Sequence, residues 1–347
     1  MPDEEAPRIR SLLHSGEIAD IGAPRRANPV VKSSRANPKT AALVTAFAAI
    51  YLIWGSTYLG IRYAVETIPP LLMMGVRHLI AGALLYGWVR SRGTPAPKVR
   101  EWFHPVLIGT LLFLGGHGSL AWAEQRVPSG IAALLVATLP MWIVVLARVR
   151  GTERKLSGRA LTGLILGFLG VGVLFGPDVW RHDGELNLIS AGAVLFGTFI
   201  WAAGTIYMRS VKMPDSAVLS SAMQMLAGGA SLMIAATLTG ESSRFHLAAV
   251  TGRSWLALTY LIVFGSIVAF TAYSWLHTVA SPSRVSTYAY VNPVVAVLIG
   301  WALASEPIGV FTVIAMIIIL VGVGLVNAGH KEDHLSTREV VEEEVAA

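Results

Sequence analysis

The chain contains an internal repeat, and both copies are built from membrane-length apolar segments. Trp54 and Arg62 recur as Trp201 and Arg209, each 147 residues later. Further along each copy the spacing is 153 residues, and the matched pairs are Trp122 with Trp275, Pro140 with Pro293, and Glu153 with Glu306. Each copy holds five apolar segments, so the second copy must start on the opposite side of a membrane. Inverted repeats of this kind are typical of secondary transporters, whose two halves exchange inward-open and outward-open shapes.

The composition indicates that the bilayer is the solvent of this chain. Hydrophobic residues make up 54% of it and charged residues 14%, whereas soluble domains carry about 25% charged residues. The net charge of +6 could indicate nucleic-acid binding, but its distribution fits membrane topology, so no nucleic-acid partner is expected. The chain has no cysteine, which excludes disulfides, thiolate catalysis and zinc–thiolate sites.

Ten apolar stretches are long enough to cross a membrane, which takes roughly 17–25 residues. Short connections with turn signals such as Pro69-Pro70 predict antiparallel neighbours. Residues 1–40 read as a disordered tail without a signal-peptide core, and 329–347 as a polar tail. The predicted spans are 41–61, 70–89, 104–123, 129–148, 159–176, 187–208, 216–238, 254–276, 284–303 and 307–328.

The positive charges are distributed unequally between the two sides of this predicted bundle. Of the 27 Lys and Arg residues, 21 lie in the tails and in the loops on the same side as the tails. Five lie on the opposite side, and Arg77 lies within a span. The positive-inside rule therefore predicts a multi-pass protein of the cell (inner) membrane with both termini in the cytoplasm.

The fourth and fifth segments carry a recognisable pattern. Ser129-Gly130-Ile131-Ala132-Ala133-Leu134-Leu135 is followed by Pro140, Glu153, Gly163 and Gly170, and the second copy has Pro293, Glu306 and Gly322. This pattern resembles an EamA domain, present here as two repeats over 41–176 and 187–328. The chain is therefore similar to the ten-helix transporters of the drug/metabolite transporter superfamily. The resemblance implies an all-α bundle of two inverted five-helix repeats, with a cavity between them, that transports small metabolites, amino acids or drugs, often by export.

Arg77 is the clearest candidate for substrate contact. It lies about seven residues, or roughly 10 Å, into the second span, where a charge costs about 2.5–3.5 kcal/mol. It should therefore face protein or a wet cavity, where it could hold an anionic substrate group or a gating carboxylate. The alternative is a structural arginine that binds helix-end carbonyls or extends outward. Its repeat partner, Gln224, is neutral.

His117 and Glu124 lie seven residues apart, on one face of the third span. Both can change protonation in a useful range if they are buried, so they could couple proton movement to transport. The alternative is a packed histidine and an interfacial glutamate.

Aromatic and polar residues form a second candidate set, which would line an apolar pocket with few polar groups. Tyr288 and Asn292 share a face of the ninth span, where the first copy has Leu135 and Leu139. Such differences between the halves suit an asymmetric ligand. The tryptophans near span ends could instead be interfacial anchors. The predicted substrate-binding residues are Trp54, Tyr58, Arg77, His117, Trp201, Thr205, Gln224, Trp275, Tyr288 and Asn292.

Two further groups of residues suggest moving and packing parts. Pro140 and Pro293 should interrupt the fourth and ninth spans, either as hinges or as static kinks. Glu153 and Glu306 are expected to be helix-capping or loop-fixing carboxylates. Gly163 and Gly167 form a GxxxG step that predicts close helix contact, either within the chain or between the subunits of a homodimer.

The leading hypothesis is a secondary transporter, with export the expected direction, of an amino acid, an analogue or a drug-like solute. It needs no cofactor or metal, and its partners are the solute and the lipid bilayer. The chain lacks GxxxxGK[ST], HExxH and GxSxG, and no span holds paired carboxylates. The alternative hypotheses are a membrane-embedded enzyme or a channel that uses Arg77, His117 and Glu124.

Overall fold

The computed structural model describes the backbone of residues 40–151, 157–181, 187–280, 282–285 and 287–346. Every regular element in these ranges is helical. The predicted N-terminal tail and Glu153 lie outside the described residues. Along the repeats the main helices are α1 (Thr40–Ala64), α2 (Pro70–Ser91), α3 (Val99–Ala123), α4 (Ser129–Val149), α5 (Gly158–Arg181), α6 (Leu188–Ser210), α7 (Ala217–Leu238), α8 (Gly252–Tyr260, Leu261–Val268 and Ala269–Val279), α9 (Tyr288–Ala304) and α10 (Val310–Ala346).

Eight of the described helices are long and apolar enough to span a membrane. Two shorter apolar helices, Gly158–Leu174 and Tyr288–Ala304, lie where the fifth and ninth spans are predicted. The apolar part of α10 ends at Ala328, but its backbone continues as helix to Ala346 through the polar segment that the sequence suggested was a tail. The structure thus supports a helical membrane protein, and the count of ten spans stays a prediction.

Successive helices run in opposite directions, so helix ends collect on two sides. The side where α1 begins is called the tail side below, and the opposite side the far side. Tyr63, at the end of α1, accepts a hydrogen bond through its carbonyl from Ser254, near the start of α8. The Arg253 guanidinium bonds the Glu66 carboxylate there. Helix ends of different repeats therefore contact each other on the far side.

Equivalent helices of the two repeats pack against each other through glycines. A Cβ added to Gly163 on α5 would lie 2.6 Å from the carbonyl oxygen of Gly322 on α10. On α2, a Cβ added to Gly82 would lie 3.0 Å from the backbone nitrogen of Leu226 on α7. Such spacing allows two helix backbones to touch, as small residues do inside membranes. The GxxxG surface of α5 is thus used for contact within the chain.

Helices α3 and α8 occupy the same position in the two repeats, and each contains a wide π-helical segment. These segments are Thr110–Gly118 and Leu261–Val268. A π-helical segment shifts the side chains that follow it around the helix axis, and such segments are frequent at functional sites. In both helices the segment lies at mid-length, at the level of the tryptophans of α1 and α6.

The two predicted proline interruptions have different outcomes. Helix α4 is interrupted at Ala137 and Thr138, and Pro140 is the second residue of its second part, Leu139–Val149. Its missing N–H is not needed there, because the first N–H groups of a helix have no intrahelical acceptor. Helix α9 continues through Pro293, so the expected interruption at that residue is wrong. Pro293 lies only five residues after the helix start, where it affects just the first-turn carbonyl of Ala289.

Candidate functional site

The centre of the candidate site is α2. Two successive residues of this helix contact the two π-helical segments: Arg77 contacts the segment of α8, and His78 contacts that of α3. Arg77 is 5% exposed, and its Nε donates to the Ser266 hydroxyl of α8 at 3.0 Å. The Met74 sulfur, 3.8 Å from Nη1, is the other acceptor that the described residues offer it. A guanidinium carries five N–H donors, so several remain available for a ligand.

His78, the next residue, faces the π-helical segment of α3. Its Nε2 lies 2.9 Å from Nδ1 of His117, and the two rings stack with centroids 5.0 Å apart. Trp201 of α6 packs edge-on against His117 at 4.6 Å. The histidine predicted from the sequence is therefore half of a hydrogen-bonded pair that lies beside Arg77.

On the other side of α2, Trp54 of α1 lies over the π-helical segment of α8. Its indole Nε1 donates to the Gly265 carbonyl at 3.1 Å. Its ring lies 5.1 Å from both Tyr273 of α8 and Tyr288 of α9. Three aromatic rings are thus packed together next to Ser266, the residue that accepts the Arg77 hydrogen bond.

The two tryptophans make equivalent contacts across the repeats. Trp54 of the first repeat packs on Gly265 of the second, and Trp201 of the second packs on Gly116 of the first. A Cβ added to Gly116 would lie 2.6 Å from the Trp201 ring. Their polar neighbours differ, because tyrosines surround Trp54 whereas Trp201 faces the histidine pair. The two tryptophans therefore pack in equivalent ways, but the polar groups next to them differ.

Two more predicted residues lie beside the Trp54 cluster. Tyr58, one turn after Trp54, is within electrostatic range of Tyr288 and Glu124. Asn292 is 7% exposed, and its Oδ1 has no hydrogen-bond partner among the described residues. Its helix passes close to α1, because a Cβ added to Gly55 would lie 3.2 Å from the Asn292 carbonyl oxygen. The structure thus groups Trp54, Tyr58, Arg77, His117, Trp201, Tyr288 and Asn292.

The remaining three predicted residues make the following contacts. The Thr205 hydroxyl donates to the Trp201 carbonyl of its own helix, and the Gln224 amide donates to Ser220 of its own helix. Trp275 packs against the apolar cluster of Ile50 and Leu276, which Trp54 and Tyr288 also contact.

The Glu306 carboxylate at the far side caps a helix of the other repeat. Its Oε1 accepts from the Ser129 N–H at 2.8 Å, and Oε2 from the Gly130 N–H at 3.1 Å. Arg62 of α1 forms an ion pair with Oε1 at 3.3 Å. Glu306 is therefore a capping residue, as expected, and the helix it caps is α4, in the first repeat.

Glu124 lies one residue beyond the span that ends at Ala123, on the same side as Glu306. It is 1% exposed, and neither carboxylate oxygen has a hydrogen-bond partner among the described residues. The Arg62 backbone N–H is close enough to act on it but does not meet hydrogen-bond geometry. Burial, followed by the charge of Glu306, raises the pKa of Glu124 well above its ordinary value, and the charges of Arg62 and Arg77 offset only part of this.

Sequence reasoning missed His78, Ser266, Tyr273 and Arg62 as members of these groups. His78 could have been identified from the sequence because it directly follows Arg77. A buried histidine next to a mid-membrane charge needs a hydrogen-bond partner. Ser266 and Tyr273 could not have been identified from the sequence, because the direction of their side chains depends on the π-helical segment of α8. Within the described residues, no three His, Asp or Glu side chains are arranged to hold a metal ion.

Comparison with protein families matches residues 41–176 and 188–328 to the EamA-like transporter family. The chain is 41% identical over 291 residues to the "Uncharacterized inner membrane transporter YedA" of Escherichia coli (strain K12), covering 83% of this chain and 91% of that protein. It is 25% identical over 288 residues to "WAT1-related protein At3g02690, chloroplastic" of Arabidopsis thaliana, covering 82% and 69%.

The fold also matches a solved structure. A solved structure with the description "Crystal structure of protein" aligns with this chain at a TM-score of 0.57 and 20% sequence identity. The alignment covers 85% of this chain and 99% of the other. At this identity the likeness concerns the fold alone. The two family matches coincide with the two repeats, and together with the close relative they show that the chain is a multi-pass membrane protein that belongs to the EamA-like transporter family.

Proposed function

We propose that this protein is a secondary transporter that exports a small carboxylate-bearing solute of the amino-acid type by alternating access. The general role of transporter follows from the family. The observation that carries the mechanism is the crossed packing of Trp54 on Gly265 and of Trp201 on Gly116. Each tryptophan belongs to one repeat and rests on the π-helical segment of the other, so a rocking motion of the halves would change both contacts together.

The solute class follows from the groups around α2. Arg77 offers guanidinium donors suited to a carboxylate, and Asn292 offers an unpartnered amide oxygen that could accept from an ammonium group. The rings of Trp54, Tyr273 and Tyr288 provide an apolar and aromatic surface beside them. A solute with both charges and an apolar side chain matches this set.

The direction and orientation are part of the proposal. Export is the direction that the family resemblance implies. Cytoplasmic termini are supported by the excess of Lys and Arg on the tail side. With that orientation the far side faces out of the cytoplasm.

The proposal is tested with the full chain in proteoliposomes and radiolabelled amino acids, measured as counterflow. Wild-type protein should give saturable counterflow of at least one amino acid, whereas a channel would give ohmic current. Arg77→Gln should weaken apparent affinity about 10- to 100-fold, because a hydrogen bond to a charged group contributes about 1.5–3 kcal/mol.

Matched variants separate the site from general damage. Arg126→Gln removes a guanidinium that stacks on Trp122 near the end of α3, and it should keep wild-type counterflow. Trp54→Ala should impair flux, and Trp301→Ala, at an exposed indole, should not. Wild-type kinetics in both Arg77→Gln and Trp54→Ala would remove these two residues from the site, and no flux of any amino acid in wild-type vesicles would contradict the solute class.

A further inference from the structure

Glu124 is a buried acid that neither the fold nor the proposed solute site explains. At 1% exposure it is among the most enclosed polar side chains described, and both of its oxygens lack partners there. A buried carboxylate is normally paired or hydrogen-bonded, because an isolated buried charge is costly. An acid in this condition avoids the cost by holding a proton.

The groups around Glu124 show why it stays unpaired. From α1 it faces Arg62 and Tyr58, from α2 Arg77, and from the loop after α9 the second carboxylate, Glu306. Glu306 already takes the Arg62 ion pair and the two N–H groups that begin α4. Arg77 directs its Nε at Ser266 and makes no hydrogen bond to Glu124. Neither cationic group near Glu124 therefore bonds its carboxylate in this arrangement.

The far-side contacts around Glu124 join both repeats. Arg62, Glu124 and Ser129 belong to the first repeat, and Glu306 belongs to the second. If the halves rock apart on the far side, these contacts must separate and water must reach Glu124. Its carboxyl group would then be enclosed in one conformation and solvated in the other.

We propose that Glu124 is a proton-binding site whose occupancy is coupled to closure of the far side. With the far side closed, Glu124 is a neutral carboxylic acid. When that side opens, its O–H bond breaks, the electron pair stays on the carboxylate and the proton passes to water. This inference rests on the proposed alternating-access function, and it adds the proton as the coupling ion.

A proton fits this site better than a metal cation. Hard metal cations take several oxygen ligands at once. The described residues provide no group of three candidate ligands, and no carbonyl or hydroxyl in them bonds the Glu124 oxygens. A single enclosed carboxylate suffices for a proton.

The first test is infrared difference spectroscopy of the full-length protein in lipid, titrated with pH. The carbonyl stretch of a protonated carboxylic acid should persist at pH values where an exposed glutamate, whose ordinary pKa is about 4.3, is already ionised. It should vanish in Glu124→Gln. Glu66→Gln is the matched control, because Glu66 lies on the same side in an exposed pair with Arg253, and it should keep the signal.

The second test asks whether protonation is linked to closure. The chain has no native cysteine, so Ser129→Cys places a single reporter thiol at a fully buried far-side position. A membrane-impermeant maleimide is the probe. Dividing its labelling rate by that of Ser243→Cys, an exposed far-side position, corrects for thiolate formation.

The corrected labelling rate should rise with pH by up to about tenfold per unit, the limit for release of one proton. In the Glu124→Gln background it should not change with pH. An infrared signal unchanged by Glu124→Gln, or pH-dependent labelling that survives it, would overturn the proposal, as would labelling that follows Na⁺ concentration. These readouts need no solute, so a failed counterflow assay would refute the solute class without changing their meaning.

Discussion

Glu306 and Glu124 are both buried glutamates on the far side, and their surroundings are opposite. Glu306 is 6% exposed and binds two backbone N–H groups and a guanidinium. Glu124 is 1% exposed and binds none of the described residues. The first carboxylate stabilises the structure through these three contacts. The second makes no such contact, and burial raises its pKa.

The comparison shows that burial alone does not reveal what an acid does in a membrane protein. Both glutamates follow a helix in a short far-side connection. The difference lies in whether the surrounding positive groups are directed at them. The following variants test that difference, in decreasing order of effect.

Glu306→Ala should cause the largest loss. It leaves Arg62 unpaired and the N–H groups of Ser129 and Gly130 without an acceptor, and each buried donor left unsatisfied typically costs about 1–3 kcal/mol. Equilibrium unfolding in mixed detergent micelles, followed by circular dichroism, measures the loss. Glu306→Gln keeps an acceptor oxygen and should lose less. A variant within about 1 kcal/mol of wild type would remove the capping role.

Glu241→Ala should have the next largest effect. Glu241, 7% exposed, accepts from the Leu71 and Leu72 N–H groups at the start of α2 at 2.9 and 3.0 Å. Loss of a helix cap costs about 0.5–2 kcal/mol. The same unfolding assay applies, and Ser243→Ala, at an exposed neighbour, serves as the control. Equal stability of both variants would contradict the cap.

Arg62→Gln should cost about 1 kcal/mol, because the Arg62 side chain is 34% exposed and water screens the pair. Glu306 would keep its two backbone donors. A double-mutant cycle with Glu306→Gln isolates the pair energy. A coupling above about 3 kcal/mol would show that the ion pair, more than the helix cap, stabilises this end.

Glu124→Gln should change stability least, by under about 1 kcal/mol at pH 5, where a neutral amide replaces a neutral acid. Burial raises the pKa of Glu124 in the folded state. Its stabilising contribution is therefore complete below the unfolded value of about 4.3 and is lost as the pH rises through the folded value. Thermal unfolding at pH 5 and pH 8 should show wild type losing stability relative to the variant. A wild type that gains stability toward pH 8 would mean that Glu124 is charged and paired.

Much of the fold follows from the sequence, because membrane spans are set by the length of apolar runs. The predicted second span, 70–89, is helix Pro70–Ser91, and the seventh, 216–238, is Ala217–Leu238. Which helices touch was less accessible. The contact of Gly163 with Gly322 was visible only as a small-residue pattern that could equally have served a dimer.

The candidate site was predictable residue by residue but not as an arrangement. Arg77, His117 and Trp54 were identified because polar and aromatic groups in an apolar span are costly or conspicuous. Their partners were hidden, because the π-helical segments of α3 and α8 redirect side chains without a sequence signal as clear as proline. The burial of Glu124 depends on α1, α2 and the loop after α9 closing over it, which is a property of the assembled halves.

The cap on α4 has a consequence for the order of folding. Its acceptor, Glu306, is synthesised 177 residues after Ser129. At a synthesis rate of about 5–20 residues per second, Glu306 is made roughly 10–35 seconds after the start of α4. During that time its free N–H groups must be solvated at the membrane surface. The first repeat therefore reaches its final form only after most of the second has been made, and the two copies mature as one unit.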